Sequence, residues 1–109
     1  MGSFVKGEVV VLAFPFSDLT NSKRRPALVL ASLSGDDIIL CQITSSTNDL
    51  DSIALSDAHF DRGKLNRTSN IRPNKLFTAD STLIDYSVGQ LNPAKVTEVI
   101  SRLVQILKR

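Results

Sequence analysis

The stretch KGEVVVLAFPFSDLTNSKRRPALVLA, residues 6–31, holds two apolar runs separated by a polar loop. In the first run, Gly7–Glu8 opens a β-branched segment that suits a buried, pleated surface, and Pro15 stops it, so a strand is expected over 7–16. The second run, PALVLAS at 26–32, reads as a strand with Pro26 tolerated at its first position. Between them, residues 17–25 are turn-rich and end on Lys23, Arg24 and Arg25. Three cations at the threshold of a buried strand are either solvated loop residues or groups that hold something anionic.

Working outward from this pair, SGDD at 34–37 predicts a tight turn, and IILCQIT at 38–44 a third strand that forms a hairpin with the second. SSTNDLD is a loop, SIALSDAHF at 52–60 alternates as a strand, and residues 61–68 form a turn or extended arm. SNIRP and KLFTA within 69–79 read as two short strands, and 80–91 as a short helical turn followed by a brief strand. At the end, Asn92 is a good N-cap, Pro93 occupies the first helical position, and AKVTEVISRLVQILKR follows. Val96, Val99, Ile100, Leu103, Ile106 and Leu107 recur at spacings of three and four, which gives the helix one apolar face. Lys108 and Arg109 suit the negative end of its macrodipole. Five or six short strands and one terminal helix predict a single domain over 1–109, mainly β with a C-terminal helix, built as a small, strongly bent antiparallel sheet or barrel.

The chain has 109 residues, 42% of them hydrophobic and 22% charged, the proportions of an ordinary globular domain. No apolar run approaches the roughly 18 residues needed to cross a bilayer, so no membrane association is expected. The N-terminal MGSFVKGEVV lacks the order of a secretion signal, and a lone cysteine, Cys41, fits a reducing cytoplasm. The net charge of +2 conceals a segregation. Lys23–Arg25 carry three positive charges, and residues 62–75, RGKLNRTSNIRPNK, carry five with no acid, leaving the rest of the chain net negative. Such asymmetry points to an anionic partner near two loops, with nucleic acid the leading candidate.

Several chemistries are set aside by residue type. One His and one Cys far apart make a zinc site improbable, and no phosphate-binding or dinucleotide glycine motif occurs. Cys41 lies in an apolar run as a small core residue rather than a nucleophile paired with His59, and His59 reads as a surface or half-buried residue. Neither a cofactor nor a metal is expected. Phe14 and Phe16 divide into one core and one surface residue, with Phe16 available to stack a base.

Residues 6–31, with Gly-Glu opening an apolar strand, a polar loop and Arg-Pro introducing a second strand, resemble the start of the PemK/MazF-like toxins of type II toxin–antitoxin systems. CQITSS resembles that family's third strand, which ends in Thr or Ser, and SNIRPNKLFTAD its later segment, so the likeness runs over roughly residues 6–107. The resemblance implies an SH3-like small barrel of the MazF/PemK/CcdB type, acting as a homodimer. It also implies a metal-independent, sequence-specific endoribonuclease that cuts single-stranded RNA, and a cognate antitoxin with an acidic flexible segment. The family's functional arginine before proline falls on Arg25, and its strand-end hydroxyl on Thr44. The implied RNA groove takes in the first loop, with Phe16, Ser17, Lys23 and Arg24, and the segment after the third strand, with Ser45 and Ser46. Some members carry an arginine where Phe77 aligns and an amide where Lys75 aligns, which leaves the cleavage specificity of this chain open.

The physical chemistry agrees with that assignment. RNA is cut by its own 2′-hydroxyl attacking the adjacent phosphorus, so the protein has only to align the attack and stabilise charge on the phosphoryl oxygens. A guanidinium offers planar paired donors to phosphate and stays cationic, which suits Arg25 to stabilisation rather than to general-base work. Thr44 would donate to a non-bridging oxygen, and no general base is identifiable. Lys64, Arg67, Arg72 and Lys75 are expected to track the RNA backbone. Two alternatives stay open: a non-catalytic toxin of the same fold that binds a protein such as a topoisomerase, and an RNA-binding domain without turnover.

Overall fold

The computed structural model describes residues 3–13 and 23–109. Seven strands, β1 (Glu8–Ala13), β2 (Arg24–Ser32), β3 (Asp37–Thr44), β4 (Ile53–Leu55), β5 (Phe60–Gly63), β6 (Ser69–Asp80) and β7 (Ile84–Leu91), form one antiparallel sheet, followed by helix α1 (Pro93–Leu107). The strand order is β4-β6-β3-β2-β1-β7-β5, and the sheet curls into a half-barrel. The mainly-β reading with one C-terminal helix holds.

The central strands are apolar without alternation because both faces of the sheet are covered. Val9–Leu12 and Ala27–Leu30 are buried throughout. Val9, Leu28, Cys41 and Ile43 face one cluster, which includes Val96 and Val99 of α1. Their neighbours Val10, Ala27, Val29 and Leu40 face a second cluster with Leu12, Phe77 and Ala79. Since successive side chains of a strand point to opposite faces, β1, β2 and β3 each contribute to both cores. At roughly 25 cal/mol per Å² of apolar area, this two-sided burial is the main driving force for the fold.

Local chemistry sets the joints. Gly35, at φ +81°, carries the expected turn between β2 and β3, closed by Leu33 N–H donating to the Asp37 carbonyl at 3.0 Å. Asn92 accepts from the Lys95 N–H at 2.8 Å, and Pro93 starts α1 as expected.

The structure corrects the sequence reading at four places. Residues 52–60 are not one strand: β4 stops at Leu55, Asp57–His59 form a 3-10 turn, and β5 starts at Phe60. The turn wins because Ser56 and His59 cap each other, with the Ser56 N–H donating to His59 Nδ1 at 3.0 Å. The two short strands within 69–79 are one strand, β6, which continues through Pro73 because residues 73–75 bulge out between the pairs Gln42–Arg72 and Cys41–Leu76. Strand β2 begins at Arg24, two residues before Pro26. At the far end, α1 stops at Leu107, whose side chain is exposed, so Lys108 serves as its C-cap. Arg109 reaches back to the Asp51 carboxylate, with Nη1 at 3.1 Å and Nη2 at 2.6 Å.

Candidate nucleic-acid interface

The N-terminal end of β2, the C-terminal end of β3 and the N-terminal end of β6 meet at one end of the sheet. Arg25 stands opposite Leu12 on the face of Ala27 and Val29, the face that carries the second core. Across β3, Gln42 pairs with Ala27 and with Arg72, and Thr44 pairs with Asn70. Continued two residues outward, the β2–β3 register sets Arg25 across from Thr44. Arg25, Thr44, Gln42, Asn70 and Arg72 therefore share one face, in two neighbouring rows.

Their states differ. Arg25 is half-exposed and has no hydrogen-bond or ion-pair partner among the described residues. Thr44 is half-buried, and its Oγ1 donates to the Ser46 carbonyl at 3.2 Å. Arg72 is engaged: Nε and Nη2 each lie 3.2 Å from Asp49 Oδ2, and Nη1 is 3.4 Å from Gln42 Oε1. Asp49 is held below its ordinary carboxylate value, first by the Asp51 backbone N–H, with Asn74 and Arg72 adding to the effect against the opposing influence of burial.

The remaining candidates spread around this end. Lys23, Ser45 and Ser46 are exposed beside it, and Phe16 and Ser17 lie outside the described residues. Arg24 alternates to the opposite face from Arg25, and its Nε donates to Asp85 Oδ2 at 2.6 Å. Lys64 and Arg67 are exposed on the connection that leads into β6. That connection turns through Asn66, at φ +64°, and the Leu65 and Asn66 N–H groups both donate to Asp57 Oδ1, at 3.0 and 3.3 Å. Lys75 sits on the β6 bulge, exposed and engaged within the chain.

Other chemistries have little to build on. Cys41 is fully buried, and burial pushes its thiol up to about 12, far from a reactive thiolate. His59 uses Nδ1 to accept from the chain, as a half-buried structural residue. Among the described residues no group of three or more His, Cys, Asp or Glu is placed to hold a metal ion. None of the described helices is long and apolar enough to cross a membrane.

Residues 5–107 match the family described as PemK-like, MazF-like toxin of type II toxin–antitoxin system. The chain belongs to this family. A sequence comparison with curated proteins finds no match. Among solved structures, a mycobacterial endoribonuclease in complex with its cognate antitoxin superposes with TM-score 0.75 at 14% identity, covering 99% of this chain and 96% of that one. MazF from Deinococcus radiodurans gives 0.74 at 20% identity, with 96% of each chain covered. A MazE–MazF structure from the same organism gives 0.72 at 19% identity, with 95% of each chain covered. At these identities the likeness is one of fold, and the SH3-like barrel expected of a MazF-type toxin is the fold present.

Within the family frame, Phe77 is a buried member of the second core rather than a surface position. No motif or periodicity in the sequence marks Asp49, Gln42, Asn70 or Asp57 as parts of the site. Asp49 lies 23 residues from Arg72, and Asp57 lies 8 and 9 residues from the Leu65 and Asn66 N–H groups it accepts from, separations at which no local periodicity signals a partnership.

Proposed function

We propose that this toxin cleaves single-stranded RNA, and that Arg25 and Thr44 flank the scissile phosphate. The carrying observation is that Arg25, uncommitted among the described residues, stands on a central strand across from the Thr44 hydroxyl. Pairing of Arg25 with Leu12 of β1, and of Ala27 with both β1 and β3 two residues on, holds its Cα in place, so the guanidinium is aimed rather than searching.

In the proposed reaction the substrate's 2′-oxygen bonds to phosphorus as the bond from phosphorus to the 5′-oxygen breaks. The 2′-hydroxyl gives its proton to solvent, the 5′-oxygen takes one from Arg25, which recovers it from solvent, and a cyclic phosphate and a 5′-hydroxyl result. Because the nucleophile belongs to the substrate, no metal-bound water is needed. Arg25 gives paired donors to the non-bridging oxygens, where charge accumulates, and passes a proton to the leaving oxygen. Thr44 turns its proton from the Ser46 carbonyl to the phosphate, a cheap exchange for a long bond at an exposed site. Lys23, Lys64, Arg67 and Lys75, with Ser45 and Ser46, guide the flanking backbone, and Arg24, on the opposite face, adds only its long-range charge.

The same cationic end would take an acidic, initially disordered antitoxin segment, which blocks RNA by occupying its place. A two-fold homodimer would join two such ends into one longer groove.

The test is incubation of the purified toxin with a long single-stranded RNA in EDTA. Cleavage by the wild type, reduced about 10²–10³-fold in Arg25→Ala, is the expected result. Intact RNA with the wild type, or equal cutting by Arg25→Ala, overturns the reading, and binding without cutting would leave an RNA-binding domain.

A further inference from the structure

The loop of residues 45–52, which joins β3 to β4, is folded around Asp49. The Asp49 N–H donates to Thr47 Oγ1 at 3.0 Å, and Asp49 Oδ1 accepts from the Asp51 N–H at 2.9 Å. The Asp49 carbonyl accepts from the Ser52 N–H at 3.2 Å and from Ser52 Oγ at 2.8 Å. Its remaining carboxylate oxygen takes the Nε and Nη2 of Arg72. The two side chains are only 13% and 23% exposed, which separates this pair from the solvated ion pairs on the surface. The far side of the loop is tied to α1 and the residues after it: Arg102 donates to the Asp51 carbonyl at 3.2 Å, and Arg109, beyond the helix end, grips the Asp51 carboxylate.

This arrangement gives Arg72 a different task from that of a phosphate contact. Its fork points along the sheet surface into the loop, and an RNA phosphate would have to displace a carboxylate that the loop's own backbone holds in place. The loop starts immediately after Thr44, and the Thr44 hydroxyl donates to a carbonyl of that loop, that of Ser46. Wherever Asp49 anchors the loop, it also sets the Ser46 carbonyl and so the place from which the Thr44 hydroxyl, released from that carbonyl, turns to the phosphate. Resting on the RNA-cleavage reading above, we infer that Arg72 and Asp49 act together as positioning residues, which fix the Ser45–Ser46 segment so that the Thr44 hydroxyl meets the scissile phosphate opposite Arg25. Arg72 thus serves the reaction through Asp49, without touching RNA.

The test compares wild type, Asp49→Ala, Arg72→Ala and the double variant in three measurements. These are the single-turnover cleavage rate at saturating RNA, the affinity for a non-cleavable 2′-O-methyl RNA with its salt dependence, and the thermal midpoint. The expected result is a loss in rate of roughly 10²-fold, the scale of a misplacement of about 1 Å. The loss is similar in both single variants and no greater in the double, while affinity and salt slope stay at wild-type values. Arg72→Lys, which keeps the charge but not the fork, does not restore the rate.

Three outcomes overturn the inference. If Arg72→Ala alone weakens binding and lowers the salt slope by about 0.7, the loss of one single-strand phosphate contact, then Arg72 binds RNA directly. Rate losses that multiply in the double variant show that the two residues act separately. A lowered thermal midpoint with an unchanged rate shows a strut of the fold alone. A wild type that binds the 2′-O-methyl RNA without cutting its 2′-hydroxyl counterpart removes the cleavage reading itself, a failure distinct from these three.

Discussion

Arg24 and Arg25, adjacent in the chain, leave β2 on opposite faces of the sheet: Arg24 binds Asp85 at 2.6 Å, while Arg25 stands across from Leu12 on the face of the second core. The cluster of three cations that opens the sequence argument is therefore not one feature. Strand alternation divides it, and the division has consequences that can be measured.

Arg24→Ala removes an ion pair whose arginine side chain is 69% exposed, so the loss in stability is within about 1 kcal/mol. Its effect on RNA cleavage is a few-fold at low salt and fades as the salt rises past about 0.15 M, where the Debye length falls to about 8 Å. Arg25→Lys keeps the charge but loses the planar fork, so its single-turnover rate stays at least about tenfold below wild type at every salt concentration. Salt titrations of cleavage with the two variants side by side check both statements.

Thr44 allows a cleaner separation of shape from chemistry. Thr44→Val preserves the β-branched outline at a half-buried strand end and removes only the hydroxyl. Its cleavage rate is expected to fall about 10²-fold, the scale for losing one preorganised donor to a developing oxyanion, while the urea midpoint barely moves. Thr44→Ser keeps the donor and retains most of the rate. Equal rates for Val and Ser at this position would show that the hydroxyl plays no part.

Strands β1, β2 and β3 and helix α1 were legible because their apolar runs and end signals agree: the glycine turn at Gly35, the cap at Asn92 and the proline at Pro93 each fall where the periodicity changes. Residues 52–60 misled because the reciprocal bond between Ser56 and His59 is a three-residue event inside a weakly alternating segment. Pro73 misled in the other direction, since a proline in a run argues against a strand unless a bulge removes it from the ladder, and bulges leave no periodic trace. Arg25 and Thr44 enter as candidates through the family resemblance and not through any periodicity, and Arg25 lies inside β2 where the sequence predicts a loop. The engagement of Arg72 leaves no local signal, because its partner is a loop residue 23 positions away brought near by the pairing of β3 with β6.

Asp49 gives the acid side of the stability curve a specific signature. The Asp51 N–H, Asn74 and Arg72 favour its ionised form in the folded state, so its folded pKa lies below the unfolded value of about 3.9. A depressed folded pKa means that the unfolded chain binds the proton more readily. The stabilisation is then complete at pH values well above 4 and is lost as pH falls through the folded pKa. Asp80, depressed by the Thr82 N–H and hydroxyl, acts in the same direction and the same window. Asn at position 49 cannot titrate. The gap in unfolding free energy between wild type and Asp49→Asn should therefore be widest at neutral pH and narrow as pH falls below about 4, as urea melts through that fall would show.

Cys41 predicts the opposite limb. Burial pushes its thiol up to about 12, whereas in the unfolded chain it titrates near 8.5. The raised folded pKa means that the folded state keeps a proton which the unfolded state releases. The contribution is present below about pH 8.5 and is lost as pH climbs from there towards 12. Cys41→Ala removes this titration while leaving a small cavity beside Leu28 and Ile43, so the variant is less stable at pH 7 by about 1 kcal/mol. Its stability should then decline less steeply than that of wild type between pH 8.5 and 10, and the two curves should converge. Parallel curves would mean that the thiol is reached by solvent in the folded state. Slow reaction of Cys41 with a thiol-alkylating reagent at pH 8, accelerated only by denaturant, would give the same answer from an independent direction.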